Sequence, residues 1–144
     1  MIKIREELKP FLAVSDWEIL ARCLLGETEG ESELGKLAVA CVIRNRLYGN
    51  AFPNSYHEVI LQPMQFSCFN KDSPRLHIML YPETNKTYPQ CIRLAKSVIL
   101  ESALDITGGA DHYFNESVVQ PTWAQKMIRT CKIGNHVFYL SLNT

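Results

Sequence analysis

The sequence has no closely spaced cysteine pair, no excess of either charge and no long apolar run, and each lack removes a class of function. Its five cysteines, Cys23, Cys41, Cys68, Cys91 and Cys131, are odd in number and far apart, which argues against a zinc or redox framework. Cys23, Cys41 and Cys91 fall among apolar helical residues, where buried free thiols are expected. The four histidines, His57, His77, His112 and His136, form no HExxH pair, so neither a metal nor any other cofactor is expected. Lys and Arg number 15, as do Asp and Glu, and neither a basic excess nor a basic stripe marks a nucleic-acid partner. No glycine-rich phosphate loop is present, and Ser67, Ser97 and Ser102 lack the nucleophile-elbow pattern. Charges interrupt the stretch Met1–Pro10, and no segment is apolar for long enough to insert into a membrane. That pattern predicts synthesis in the cytosol without a signal peptide.

What remains is a chain of one-domain length with 47% apolar residues, enough to form a core. Residues 1–14 read as a lead-in with a helical turn near 3–9. Ser15-Asp16-Trp17-Glu18 is a capping box, and Trp17, Leu20, Ala21, Leu24 and Leu25 follow at helical spacing, predicting a first helix over 16–27. Ser32 opens a second helix that runs to Tyr48, where Gly49 is a stop signal. Ser55-Tyr56-His57-Glu58 caps a short third helix ended by Pro63. The alternation in Gln65-Phe66-Ser67-Cys68-Phe69 predicts a strand. An irregular loop with a helical turn near 75–80 comes next, then a long helix from Pro89 to Leu104. His112-Tyr113-Phe114 reads as a strand, residues 121–124 as a helical turn, and Ile128–Lys132 with His136–Leu140 as a hairpin around Gly134-Asn135. Helices first and a small antiparallel sheet later make a mainly helical α+β domain.

The densest chemistry is Gly26-Glu27-Thr28-Glu29-Gly30-Glu31, between the first two helices. Two readings fit. Acidic, solvated turns between helices are common. Alternatively, Leu24 and Leu25 desolvate Glu27, because burial disfavours the anion, and the retained proton serves a leaving oxygen near neutral pH. A glycosidase usually places a second carboxylate across the bond, for which Glu29 and Glu31 are candidates. Gln65, Phe66, Tyr113, Asn115 and Trp123 are the aromatic and amide types that line sugar grooves; Phe66 and Trp123 equally suit a core.

Several blocks together resemble the SleB/CwlJ-type cell wall hydrolases. They are Ala21–Glu31 with Gly35 and Val39–Arg46, then Val59–Cys68, Gly109–Asn115, and Trp123-Ala124 leading to Ile133–Tyr139. They span residues 19–140. The resemblance implies a lysozyme-like fold and a single catalytic domain over 1–144. It also implies cleavage of peptidoglycan glycan strands between N-acetylmuramic acid and N-acetylglucosamine, in the manner of a lytic transglycosylase. Glu27 matches the essential glutamate, acting alone as acid and then base. Glu31 matches the second glutamate and is assigned to the loop or the substrate. Gln65, Phe66 and Ser67 resemble a strand lining the groove, with Ser67 as a hydrogen-bond partner of Glu27 or the sugar. His112, Tyr113 and Asn115 are placed on the opposite wall. Arg44, Asn45 and Arg46 are expected to cap and anchor the second helix. Met64 departs from the family's glycine and is expected to narrow the groove. Glu29 is expected to raise the proton affinity of Glu27 if it lies close. Asp111 is unusual beside His112. The alternatives are a water-using N-acetylmuramidase and a non-catalytic wall-sugar module. The expected partner is the glycan strand, and the expected state a monomer. Without a leader, delivery to the wall needs a separate route, as for a phage or prophage lysin.

Overall fold

A computed structural model describes residues 4–62 and 65–142. The expected end of the third helix at Pro63 and the expected effect of Met64 lie outside the described residues.

Local chemistry sets the helix starts. The Ser15 hydroxyl accepts from the Glu18 N–H and the Glu18 carboxylate returns to the Ser15 N–H, so the capping box forms and α1 spans Asp16–Thr28. The Ser32 hydroxyl accepts from the Gly35 N–H and opens α2, Glu33–Tyr48, which Gly49 ends. Ser55 does the same for α3, Tyr56–Leu61. A 3₁₀ segment, Glu6–Ala13, precedes α1 and buries Leu8 and Phe11. Two further helices are α4, Leu76–Leu80, and α5, Tyr88–Ile99. α5 stops five residues short of the expected Leu104. The Ala103 N–H turns back to the Ser97 carbonyl, and Ser102 takes a positive φ of 53°, which a continuing helix forbids.

α5 packs across both α1 and α2, and α3 and α4 close the other sides of α1. The main core joins Ile19, Leu20, Leu24, Val39, Ile43, Val59, Ile60, Met79 and Leu94 from all five helices. Cys23, Cys41, Cys68 and Cys91 are buried free thiols, which extends the expectation for three of them to Cys68.

The sheet has three antiparallel strands in the order β1-β3-β2: β1 is His112–Asn115, β2 Ile128–Ile133 and β3 His136–Leu140. The hairpin forms as expected around Gly134, at φ 59°. Tyr113 pairs with Phe138 and Asn115 with His136. Phe138 is fully buried against Ala38 and Val42 of α2, which fixes one face of the sheet on the helical layer. On the other face Trp123, from the 3₁₀ turn Thr122–Lys126, makes edge contacts with Phe114 and Tyr139. The mainly helical α+β class is therefore present.

Residues 65–69 correct the expectation of a strand. Phe66 and Cys68 are buried and Gln65 and Ser67 exposed, so burial alternates over 65–68 and breaks at the buried Phe69. The backbone nevertheless closes on itself, with the Phe69 and Asn70 N–H groups bonding to the Phe66 and Ser67 carbonyls in a 3₁₀ turn, Ser67–Phe69. Period-two burial becomes a strand only where a ladder partner lies alongside.

Candidate active site

Leu20, Cys23, Leu24 and Glu27 recur at steps of three and four, which places them on one side of α1. The first three are fully buried, so the stripe carries Glu27 into the wall of the domain at the last helical turn, where it is half-buried. A pocket of about 490 Å³ opens beside it, lined by Gly26, Glu27, Ser67, Cys68 and residues 70–75.

Burial pushes the Glu27 carboxyl up to about 7. Three groups resist that rise: the Cys68 thiol and the Ser67 backbone N–H by hydrogen bonding, and the Arg75 guanidinium by its charge. Tyr113 on β1 also feels the charge of Glu27, and its phenol is held well above its usual range, chiefly by burial. The outcome is an acid that keeps its proton near neutrality with open space beside it, as a proton donor requires.

Arg75 was not legible as a site residue. Its guanidinium donates to the Leu25 carbonyl at 2.9 Å and the Gly26 carbonyl at 3.4 Å, and it also pairs with the Glu29 carboxylate. It thus satisfies terminal carbonyls of α1 that have no helical partner and sets a cation where the helix dipole is negative. Asn85 donates to the other Glu29 oxygen at 2.9 Å, and these bonds hold the Glu29 carboxyl below its usual range. The expected effect of Glu29 on Glu27 is corrected by this pairing, since Glu29 spends its charge on Arg75. Burial, not a neighbouring anion, dominates the rise at Glu27.

Glu31 lies away from the pocket lining, with Oε1 3.7 Å from Nδ1 of the buried His136. Below it the Lys36 ammonium, almost wholly buried, donates to the Glu29 and Glu31 carbonyls at 3.1 and 2.5 Å and fixes the turn between the helices. Ser67 meets Glu27 through its backbone, while its side chain is exposed on the pocket wall. Gln65 is exposed, and its Oε1 accepts from Arg46 at 3.0 Å.

Phe66 corrects the expectation of a groove residue. It is 3% exposed, belongs to the main core, and lies under the Arg46 guanidinium. His112, Tyr113 and Asn115 do not share one wall, because side chains alternate along a strand. Tyr113 faces inward against His136 and Phe138. His112 faces outward, between Phe52 and Trp123, with Nδ1 2.9 Å from the Asp111 carboxylate. Asp111 also accepts from the Ser141 N–H and hydroxyl, so it ties the strand ends together. The Asn115 Oδ1 accepts from the Ser117 N–H and hydroxyl and shapes the turn after β1.

Arg44, Asn45 and Arg46 anchor α2 to distant segments rather than capping it. Arg44 donates to the Val98 carbonyl, Asn45 to Asp105 and the Ala110 carbonyl, and Arg46 to the Asp111 carbonyl.

Known proteins share this architecture. The catalytic domain of the germination-specific lytic transglycosylase SleB from Bacillus anthracis superposes with a TM-score of 0.68 at 31% identity, covering 88% of this chain and 97% of that one. The catalytic domain of Bacillus cereus SleB gives 0.67 at 31% identity, over 86% of this chain and 88% of that one. Spore cortex-lytic enzymes from Bacillus cereus and Bacillus subtilis are 32% and 30% identical over 86% of this chain. The chain spans 44% and 37% of the length of those two relatives. The cell wall hydrolase family model matches residues 30–139 and begins beyond Glu27. By that match and by the SleB likeness across nearly its whole length, the chain belongs to the cell wall hydrolase family.

Proposed function

We propose that the chain is a single catalytic domain that cuts peptidoglycan glycan strands between N-acetylmuramic acid and N-acetylglucosamine, as a lytic transglycosylase with Glu27 as acid and base. One observation carries the reading: a carboxyl pushed up to about 7 by burial stands on the wall of a pocket large enough for a sugar ring. Its family and its likeness to SleB catalytic domains support the substrate class.

Glu27 gives its proton to the glycosidic oxygen as the bond breaks. Positive charge develops at the anomeric carbon of the muramyl sugar, and the sugar's own acetamido oxygen stabilises it. The Glu27 carboxylate, now held by the Ser67 N–H, the Cys68 thiol and the Arg75 charge, takes a proton from the incoming hydroxyl. If that hydroxyl is the sugar's 6-OH, a 1,6-anhydro ring forms. A one-carboxyl course suits this site because Arg75 and Asn85 occupy Glu29 and because Glu31 turns towards His136.

Asp72, exposed on the pocket lip, favours a second reading, a muramidase in which that carboxylate activates water. Mass spectrometry of fragments released from purified sacculi separates the two. Transglycosylation yields muramyl ends lighter by one water; hydrolysis yields reducing ends. No release overturns both. The substrate lies outside the cytosol, so the proposal includes delivery of the domain to the wall.

A further inference from the structure

Among the groups around Glu27, Cys68 has no role in the chemistry described so far except as a donor. We infer that Cys68 is a positioning residue, whose thiol holds the Glu27 carboxyl so that the acidic proton is presented to the pocket. The inference rests on the proposed role of Glu27.

The seat of the thiol is built by packing. Cys68 is 2% exposed, yet it reaches the pocket lining beside Glu27. Its Sγ lies over Gly26, where a Cβ would come within 2.9 Å of it and within 2.3 Å of the Met79 Sδ. Residue 26 must lack a side chain for the sulfur to stand there, and the fully buried Met79 packs against the same position. The thiol is therefore packed over Gly26, the neighbour of Glu27 in sequence, and lines the same pocket as the carboxyl.

From that seat the thiol favours the Glu27 anion by hydrogen bonding, as does the neighbouring Ser67 N–H. Both donors come from the same wall, residues 67 and 68. An oxygen lone pair that accepts a donor cannot also hold the acid's own proton. Two donors on one side leave the proton for positions away from that wall. When the proton leaves, the same donors stabilise the carboxylate and prepare it to act as base. Burial pushes the Cys68 thiol up, so it stays an S–H donor across the working range.

The groups whose charge couples to Glu27 are Cys23 on α1, Cys68 in the 3₁₀ turn, Arg75 before α4 and Tyr113 on β1, and Lys71 and Asp72 line the same pocket. Cys23 and Tyr113 are pushed up by burial and keep their protons near neutrality. Cys68 lowers the proton affinity of Glu27 and its loss raises it.

The test compares wild type, Cys68→Ala and Cys68→Ser by the pH dependence of kcat/KM on solubilised glycan strands. Cys68→Ala is expected to move the alkaline limb upward by about half a pH unit or more and to lower kcat several-fold, because one donor is lost. Cys68→Ser keeps a donor and is expected to return the limb to the wild-type position or below. Coincident limbs in all three proteins overturn the inference, as does a serine variant that behaves like alanine. Infrared spectroscopy of the unsubstituted protein supplies a second reading that needs neither a foldable variant nor activity. The Cys68 S–H stretch is expected to shift as Glu27 titrates and to stay constant over the same range in Glu27→Gln. A band that ignores the titration overturns the inference. A wild type with no strand cleavage but a shifting band instead refutes the proposed reaction and leaves the Cys68–Glu27 contact standing.

Discussion

At Glu27, burial disfavours the anion while Cys68, Ser67 and Arg75 favour it, and burial wins. The consequence for stability has a definite sign. The folded carboxyl holds its proton up to about 7, against an ordinary value of 4.5. Below 4.5 the proton is bound in folded and unfolded chains alike. As pH rises from there through about 7, the folded chain binds more protons than the unfolded one, so stability falls. Glu27→Gln mimics the protonated form and escapes that loss. It is expected to be more stable than wild type by roughly 1–3 kcal/mol at pH 8 and equal to it near pH 4. Urea unfolding at the two pH values checks this; a variant less stable at pH 8 contradicts the burial of the acid. At this scale the sequence was informative where neighbours are close along the chain. Leu24 and Leu25 announced the desolvation of Glu27. Arg75 and Cys68 were not legible, because nothing local marks a residue that reaches Glu27 across more than forty positions.

Among the elements, α1 sets the site, since its buried stripe ends on Glu27 and its last turn passes under Met79 and Cys68 at Gly26. A methyl group at residue 26 has no space unless both sulfur atoms move. Gly26→Ala is expected to cost about 1–3 kcal/mol in overpacking, despite alanine's better helix propensity, and to lower cleavage by displacing Cys68. Thermal unfolding and a sacculus assay check the two effects; a stabilised, fully active variant contradicts the close packing. The helix starts at Ser15, Ser32 and Ser55 were legible because a cap is decided within four residues. The false strand at 65–69 and the early end of α5 share a cause. Neither burial alternation nor helical spacing reports that cause: the backbone turns back on itself, at Phe66–Asn70 in one case and at Ser97–Ala103 in the other.

Across the whole molecule, one buried cation joins the layers. Arg46 on α2 donates to the Asp111 carbonyl at 2.7 Å and to Gln65 at 3.0 Å, and its guanidinium lies over the rings of Phe52 and Phe66. It thereby connects the helical layer, the start of β1 and the wall that carries Ser67 and Cys68. Arg46→Met keeps most of the volume and removes the donors. Stability is expected to fall by about 2–4 kcal/mol, because the Asp111 carbonyl and Gln65 lose charged partners. Equilibrium unfolding in urea checks it, and an unchanged midpoint contradicts the linking role. The order of helices before sheet was legible from the sequence, whereas the meeting of residues 27, 68, 75 and 113 required the fold.

The most direct test of the central claim is strand cleavage by Glu27→Gln, with its fold verified by circular dichroism. Loss of muropeptide release by about 100-fold or more, with binding to sacculi retained, is the result expected if this carboxyl supplies the proton. A folded glutamine variant that releases fragments at the wild-type rate contradicts the account.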